Sequence, residues 1–156
     1  MQRSTLNTQR STLKAEGIVQ KRFEKNERFD LEDRLLRYAA GVVRLVEKIP
    51  NSRSGNHVGG QFLRSGTSVL PNHGEAQAAE SPGDFLHKMR ICLKELRESR
   101  RWLRLIVEVP LLKDPSEANK LLDETEQLIK IFAASVRTTL SKMSGKTLVS
   151  DFNVER

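Results

Sequence analysis

Apolar residues recur along this chain with the period of amphipathic helices, and the breaks between the stripes are punctuated by proline and capping residues. Leu31, Leu35, Tyr38, Val42, Leu45 and Ile49 alternate at spacings of four and three, with Ala39, Val43 and Val46 widening the stripe. Asp30 supplies a cap and Pro50 a stop, so a first helix is predicted over about 31–49. The segment NSRSGNHVGG reads as a turn-rich linker running into a second helix over 56–79, with Val58, Phe62, Gly66, Val69 and His73 on one face. Pro71 lies inside it and predicts a kink, because proline removes one helical hydrogen bond and crowds the preceding turn.

Ser81-Pro82-Gly83-Asp84 combines a cap, a first-turn proline and an early acidic residue, and opens a third helix over 82–109 that Pro110 closes. Its stripe is Phe85, Met89, Cys92, Leu96, Ser99, Leu103 and Ile106. Asp114-Pro115-Ser116-Glu117 opens a fourth helix over 115–142, with Ala118, Leu121, Leu122, Thr125, Leu128, Ile129, Phe132, Val136 and Leu140 on its apolar face. Four amphipathic helices with short connections predict one all-α domain, an antiparallel up-down four-helix bundle over 30–142. Residues 1–29 repeat the unit Gln-Arg-Ser-Thr-Leu and read as a basic disordered tail, and 143–156 as a flexible C-terminal tail.

Composition narrows the function classes. The chain is 37% hydrophobic and 30% charged, and no apolar run approaches the roughly 20 residues of a membrane span. The basic start lacks the apolar centre of a secretory signal, so a cytoplasmic location without membrane contact is expected. The net charge is +7, of which residues 1–29 carry +4, so charge placement matters more than its total.

The third helix carries the most informative charge pattern. Arg90, Lys94, Arg97, Arg101 and Arg104 share one side of a wheel of about 100° per residue, opposite the core stripe. Such a row suits phosphates, or a neighbouring subunit's carboxylates, and these five are the candidate nucleic-acid-binding residues. The plainer reading is a solvated face relieved by acidic neighbours. Trp102 sits to one side of the row, so no aromatic platform interleaves with it. On the second helix, Gln61, Arg64, Ser68, Asn72 and Glu75 share a polar face beside small Ser65 and Gly66, suited to close approach by another helix.

No catalytic or metal constellation stands out, and no cofactor is expected. Asp84-x-x-His87 is a single unit where a di-iron bundle needs two, with His87 beside the basic row. His73 falls on an apolar face as a core histidine would. Gly55-Asn56-His57-Val58-Gly59-Gly60 lacks the lysine-serine ending and the preceding strand of a phosphate loop. The only cysteine, Cys92, lies on a core stripe and is expected to be inert.

Within 59–103, the stretches GGQFLRSGTSVLPNHGEAQAAES and DFLHKMRICLKELRESRRWLRL resemble the bacterial four-helix-bundle family that includes proteins encoded in intervening sequences of 23S ribosomal RNA genes. The resemblance covers about 30–142. Gln61, Arg64, Ser65, Ser68, Asn72, Glu75 and Ala76 match the family's second helix, with Phe62 replacing a leucine. Asp84, Phe85, Lys94, Glu95, Glu98, Ser99, Trp102 and Leu103 match the third, while His73 departs from the usual aromatic or apolar residue. The resemblance implies a non-enzymatic homo-oligomer, a pentameric ring, with Gln61, Arg64, Ser65, Ser68, Asn72, Glu75, Glu95 and Glu98 as a family polar face or subunit contacts. Related bundles that assist diversity-generating retroelements bind RNA and reverse transcriptase through basic surfaces. An RNA- or DNA-binding module is therefore the leading expectation, and a structural or protein-interaction scaffold is the alternative.

Overall fold

A computed structural model describes residues 30–152, with side chains to Gly145. The predicted tail over 1–29 lies outside the described residues. Four helices follow one another: α1 (Leu31–Val46), α2 (Arg53–Gln77), α3 (Pro82–Glu108) and α4 (Ser116–Phe152). The compact unit begins at Arg34.

Each start has a local cause. Asp30 Oδ1 accepts from the backbone N–H groups of Glu32 (3.0 Å) and Asp33 (3.3 Å). Ser52 Oγ accepts from Gly55 N at 3.0 Å, and Ser81 Oγ from Asp84 N at 3.1 Å. Asp114 accepts the backbone N–H of Ser116 at 2.9 Å and its hydroxyl at 2.8 Å, and these bonds hold its carboxyl below the ordinary carboxylate range.

Two boundaries differ from the sequence reading. The segment read as a turn-rich linker is largely helical, because Ser52 caps α2 three residues earlier than expected and Gly55 and Gly59 pack against the end of α1 and the turn after it. A Cβ on Gly66 would lie 2.8 Å from both Cγ atoms of Val42, and one on Gly55 would overlap the Pro50 carbonyl oxygen. At the other end, α4 runs to Phe152 and does not stop at 142. Residues 143–152 hold no proline, and one glycine costs a helix only about 1 kcal/mol. The α2 helix is continuous through Pro71.

Contacts between helices set the topology. Val42 meets Gly66, and Val46 and Ile49 meet Gly59, so α1 and α2 are antiparallel. Ser65 meets Ser99, and Glu75 meets Lys88, so α2 and α3 are antiparallel. Tyr38 meets Thr125 and Lys48 meets Glu117, so α1 and α4 are antiparallel too, which closes an up-down four-helix bundle. The fully buried side chains include Leu35, Val42, Phe62, Val69, Leu96, Leu103, Leu128 and Phe132. The stripes were slightly too wide: Val43 is 42% and Leu140 37% exposed, at the edges of their helices' apolar faces.

One layer of this core is polar. Tyr38 from α1, Ser65 from α2, Ser99 from α3 and Thr125 from α4 are all buried. Thr125 Oγ1 donates to the Leu121 carbonyl (2.6 Å) and so accepts from Tyr38 Oη (2.9 Å). Ser99 Oγ donates to Ser65 Oγ (3.0 Å), which donates to the Phe62 carbonyl (3.3 Å). Burial pushes the Tyr38 phenol up, and hydrogen bonding by Thr125 and Ser99 opposes that rise.

Thr125→Val removes the nearer hydrogen-bond partner of the buried Tyr38 hydroxyl, leaving Ser99 alone, and is expected to cost about 1–3 kcal/mol. Adding Tyr38→Phe should cost less than the two single changes together, a coupling of about 0.5 kcal/mol or more measurable by urea denaturation of the cycle.

Candidate nucleic-acid interface

The α3 helix sits between two neighbours, and its polar side chains divide accordingly. Towards α2, Glu98 Oε1 accepts from Arg64 Nη2 (2.5 Å) and from the Trp102 indole N–H (3.3 Å). His57 meets the Trp102 ring edge to face, with centroids 6.2 Å apart. Towards α4, Arg100 Nη1 donates to both oxygens of Glu126 at 3.3 Å. Between these two seams, Arg90, Lys94, Arg97, Arg101 and Arg104 are all exposed. None makes a hydrogen bond or ion pair among the described residues. At 1.5 Å of rise per residue this row extends about 21 Å along the outer face of the bundle.

The polar row on α2 is turned largely onto α3 and onto its own backbone. Gln61 Oε1 accepts from Arg64 (3.3 Å), Ser68 donates to the Ser65 carbonyl (3.0 Å), and Asn72 to the Ser68 carbonyl (2.8 Å). Glu75 pairs with Lys88 at 2.5 Å. Glu95 is buried, with Oε2 3.9 Å from Arg64 Nη1 and no hydrogen bond. Of the eight family-motif residues, Arg64, Ser65, Glu75, Glu95 and Glu98 are therefore brought together across the α2–α3 seam within a single chain, while Gln61, Ser68 and Asn72 bond within α2.

Asp84 and His87 are both exposed, with Asp84 serving the first turn of α3 through its backbone. His73 is buried, with its ring edge to face with Phe132 and its Nε2 3.2 Å from Gln77 Nε2. Among the described residues, no group of three or more histidines, cysteines or carboxylates is placed to hold a metal ion. No helix among them is long and apolar enough to cross a membrane. Cys92 is buried, its thiol directed at the Val69 carbonyl at 3.7 Å, and burial pushes its pKa up to about 12. Tyr38 and Thr125 were legible only as stripe positions, since their polar role depends on which helices adjoin.

The sequence model of the 23S rRNA-intervening sequence protein family matches residues 36–134. The chain belongs to that family. Its matched region contains the polar seam, the basic row and the hydroxyl layer. Among solved structures, the fold is similar to a protein of unknown function from the S23 ribosomal protein family of Bacteroides thetaiotaomicron. That similarity has 28% identity and a TM-score of 0.62, covering 67% of this chain and 96% of the other. No curated protein matches the chain.

Two outcomes test this geometry. Glu98→Ala removes the acceptor shared by Arg64 and Trp102, so emission from the single tryptophan should shift while stability falls by no more than about 1 kcal/mol, the pairing being half exposed. The Cys92 thiol is neutral in the fold until about 12 but ionises near its ordinary value of 9.0 when unfolded. Its contribution is therefore fully present below that ordinary value and lost as pH rises towards the folded one, so urea midpoints should fall in alkali and be less pH-sensitive in Cys92→Ala. Native protein should resist thiol reagents until unfolded.

Proposed function

We propose that this protein is a non-enzymatic nucleic-acid-binding module that holds a phosphate backbone along the outer face of α3. The observation that carries this reading is the row Arg90, Lys94, Arg97, Arg101 and Arg104, exposed and without counter-charges among the described residues. Several cations at the helix seams are instead neutralised: Arg34, Lys48, Arg64, Lys88 and Arg100 each face a carboxylate. A row of like charges spaced three and four residues apart costs a helix about 0.2–0.5 kcal/mol per close pair, and a polyanion removes that cost. Four of the five are arginines, whose planar donors match phosphate oxygens two at a time. The family's name refers to 23S rRNA, which supports RNA as the polyanion to test before DNA. Copies of the chain form a homo-oligomer, a pentameric ring by resemblance, in the cytoplasm, and the ring multiplies the contacts of each row.

The second reading is a scaffold that captures a protein partner. Leu105 in the last turn of α3 and Val109 just past its end favour it, being 38% and 48% exposed.

Binding of the full chain to labelled structured RNA across a salt series decides between them. If five cations engage a single strand, log K should fall against log salt with a slope of up to about −3.5. Arg97→Glu combined with Arg101→Glu should abolish binding while leaving helicity and solution mass unchanged, because both positions are exposed. Binding that ignores salt or survives the double change would leave the scaffold standing.

A further inference from the structure

A second cationic surface lies away from α3, in the groove between α1 and α4. It encloses about 560 Å³, within the range of small-ligand sites. Its walls include four basic side chains, Arg34, Arg37 and Arg44 from α1 and Lys120 from α4, with Gly41 and Leu121 between them.

The charges across this groove are matched at its ends and mismatched at its centre. At one end Arg34 clamps Glu124, Nε to Oε1 at 2.6 Å and Nη2 to Oε2 at 2.9 Å, and also reaches Gln127 at 2.8 Å. At the other end Lys48 pairs with Glu117 at 2.6 Å. Between these pairs, a further carboxylate on α4 would complete the series, but Lys120 lines the groove instead. Arg37, Arg44 and Lys120 are exposed and make no hydrogen bond or ion pair among the described residues. Gly41 lines the centre of the groove, and a Cβ there would lie 3.0 Å from Leu121 Cδ2, so a larger side chain would narrow it. Arg37 and Arg44 stand seven residues apart on α1, about 10.5 Å along the axis, one on either side of that glycine.

We infer that this groove binds a ligand carrying adjacent phosphate groups, held by Arg37, Arg44 and Lys120, with the Arg34–Glu124 clamp fixing one wall. The phosphates come either from a free polyphosphate or from the backbone of a single strand. The site stands independently of the α3 row, since it shares no residue with it.

Thermal unfolding of the full chain with inorganic pyrophosphate, against sodium chloride at matched ionic strength, tests it. Pyrophosphate at about one hundred times its Kd should raise Tm by roughly 5 °C or more. Lys120→Glu should raise Tm without ligand, because it supplies the missing carboxylate, and should weaken pyrophosphate binding at least tenfold. Arg37→Ala with Arg44→Ala should weaken it similarly, whereas Arg97→Glu with Arg101→Glu should leave it intact. Displacement of pyrophosphate by a short oligouridylate would support the site and identify the backbone as a source, and binding of pyrophosphate alone would support it with free polyphosphate. No stabilisation of the wild type, stabilisation that persists in Lys120→Glu, or stabilisation lost equally in the α3 variant would overturn it.

Discussion

The bundle depends on four hydroxyl groups that must be satisfied inside it. Tyr38, Ser65, Ser99 and Thr125 come one from each helix, and each is buried. Apolar packing tolerates many arrangements of similar volume, so leucines and valines alone would accept several registers. A buried hydroxyl does not, because leaving it unpaired costs about 1–3 kcal/mol. Both donor chains end on helix carbonyls, Leu121 from Thr125 and Phe62 from Ser65, so sliding any helix by one residue separates a donor from its acceptor. The close approach of α1 to α2 at Gly66 reinforces the same register, since Val42 occupies the space a side chain would need.

Register then decides which surface charges meet. Antiparallel pairing brings Arg34 to Glu124 and Lys48 to Glu117, Arg64 to Glu98 and Lys88 to Glu75, and Arg100 to Glu126. Most of these pairs are substantially exposed, and each contributes little to stability, about 0–1 kcal/mol. Their value is in what they leave over. Once they are drawn, unmatched cations remain, among them a row on α3 and a cluster facing the α1–α4 groove.

These two surfaces differ in how far the sequence revealed them. The α3 row lies on one helix, so the spacing of Arg90, Lys94, Arg97, Arg101 and Arg104 carried it directly. The groove draws Arg37 and Arg44 from one helix and Lys120 from another more than 70 residues away in the chain, so it appears only once the register is known. The core was legible wherever the apolar period was unbroken, as from Leu35 to Leu45. It was misread where composition and packing disagree. Gly55 and Gly59 look like part of a turn in isolation but let α2 begin close against the end of α1, and the stretch after Lys142 lacks a regular apolar stripe but also lacks a proline to stop a helix. The seam residues were recognised as a set, while their partners were not: that Glu98 receives both Arg64 and the Trp102 indole follows from how α2 and α3 face each other.

The shapes of the two cationic surfaces fit different forms of the same chemistry. The α3 row is open along its length, with no carboxylate at either end of it in contact, so it can follow an extended backbone and its affinity grows with the number of phosphates engaged. The groove is concave and bounded by Arg34–Glu124 and Lys48–Glu117, so an extended anion meets a carboxylate at each end. A short run of negative charge, whether a free polyphosphate or two neighbouring phosphates of a strand that crosses the groove, gains most from its centre with least repulsion at its rims. Both surfaces lie on a frame whose register is fixed from inside, so the backbone positions that carry the cations are set before any ligand arrives, and binding has only to order the exposed side chains, at a cost of about 0.5–1.5 kcal/mol each.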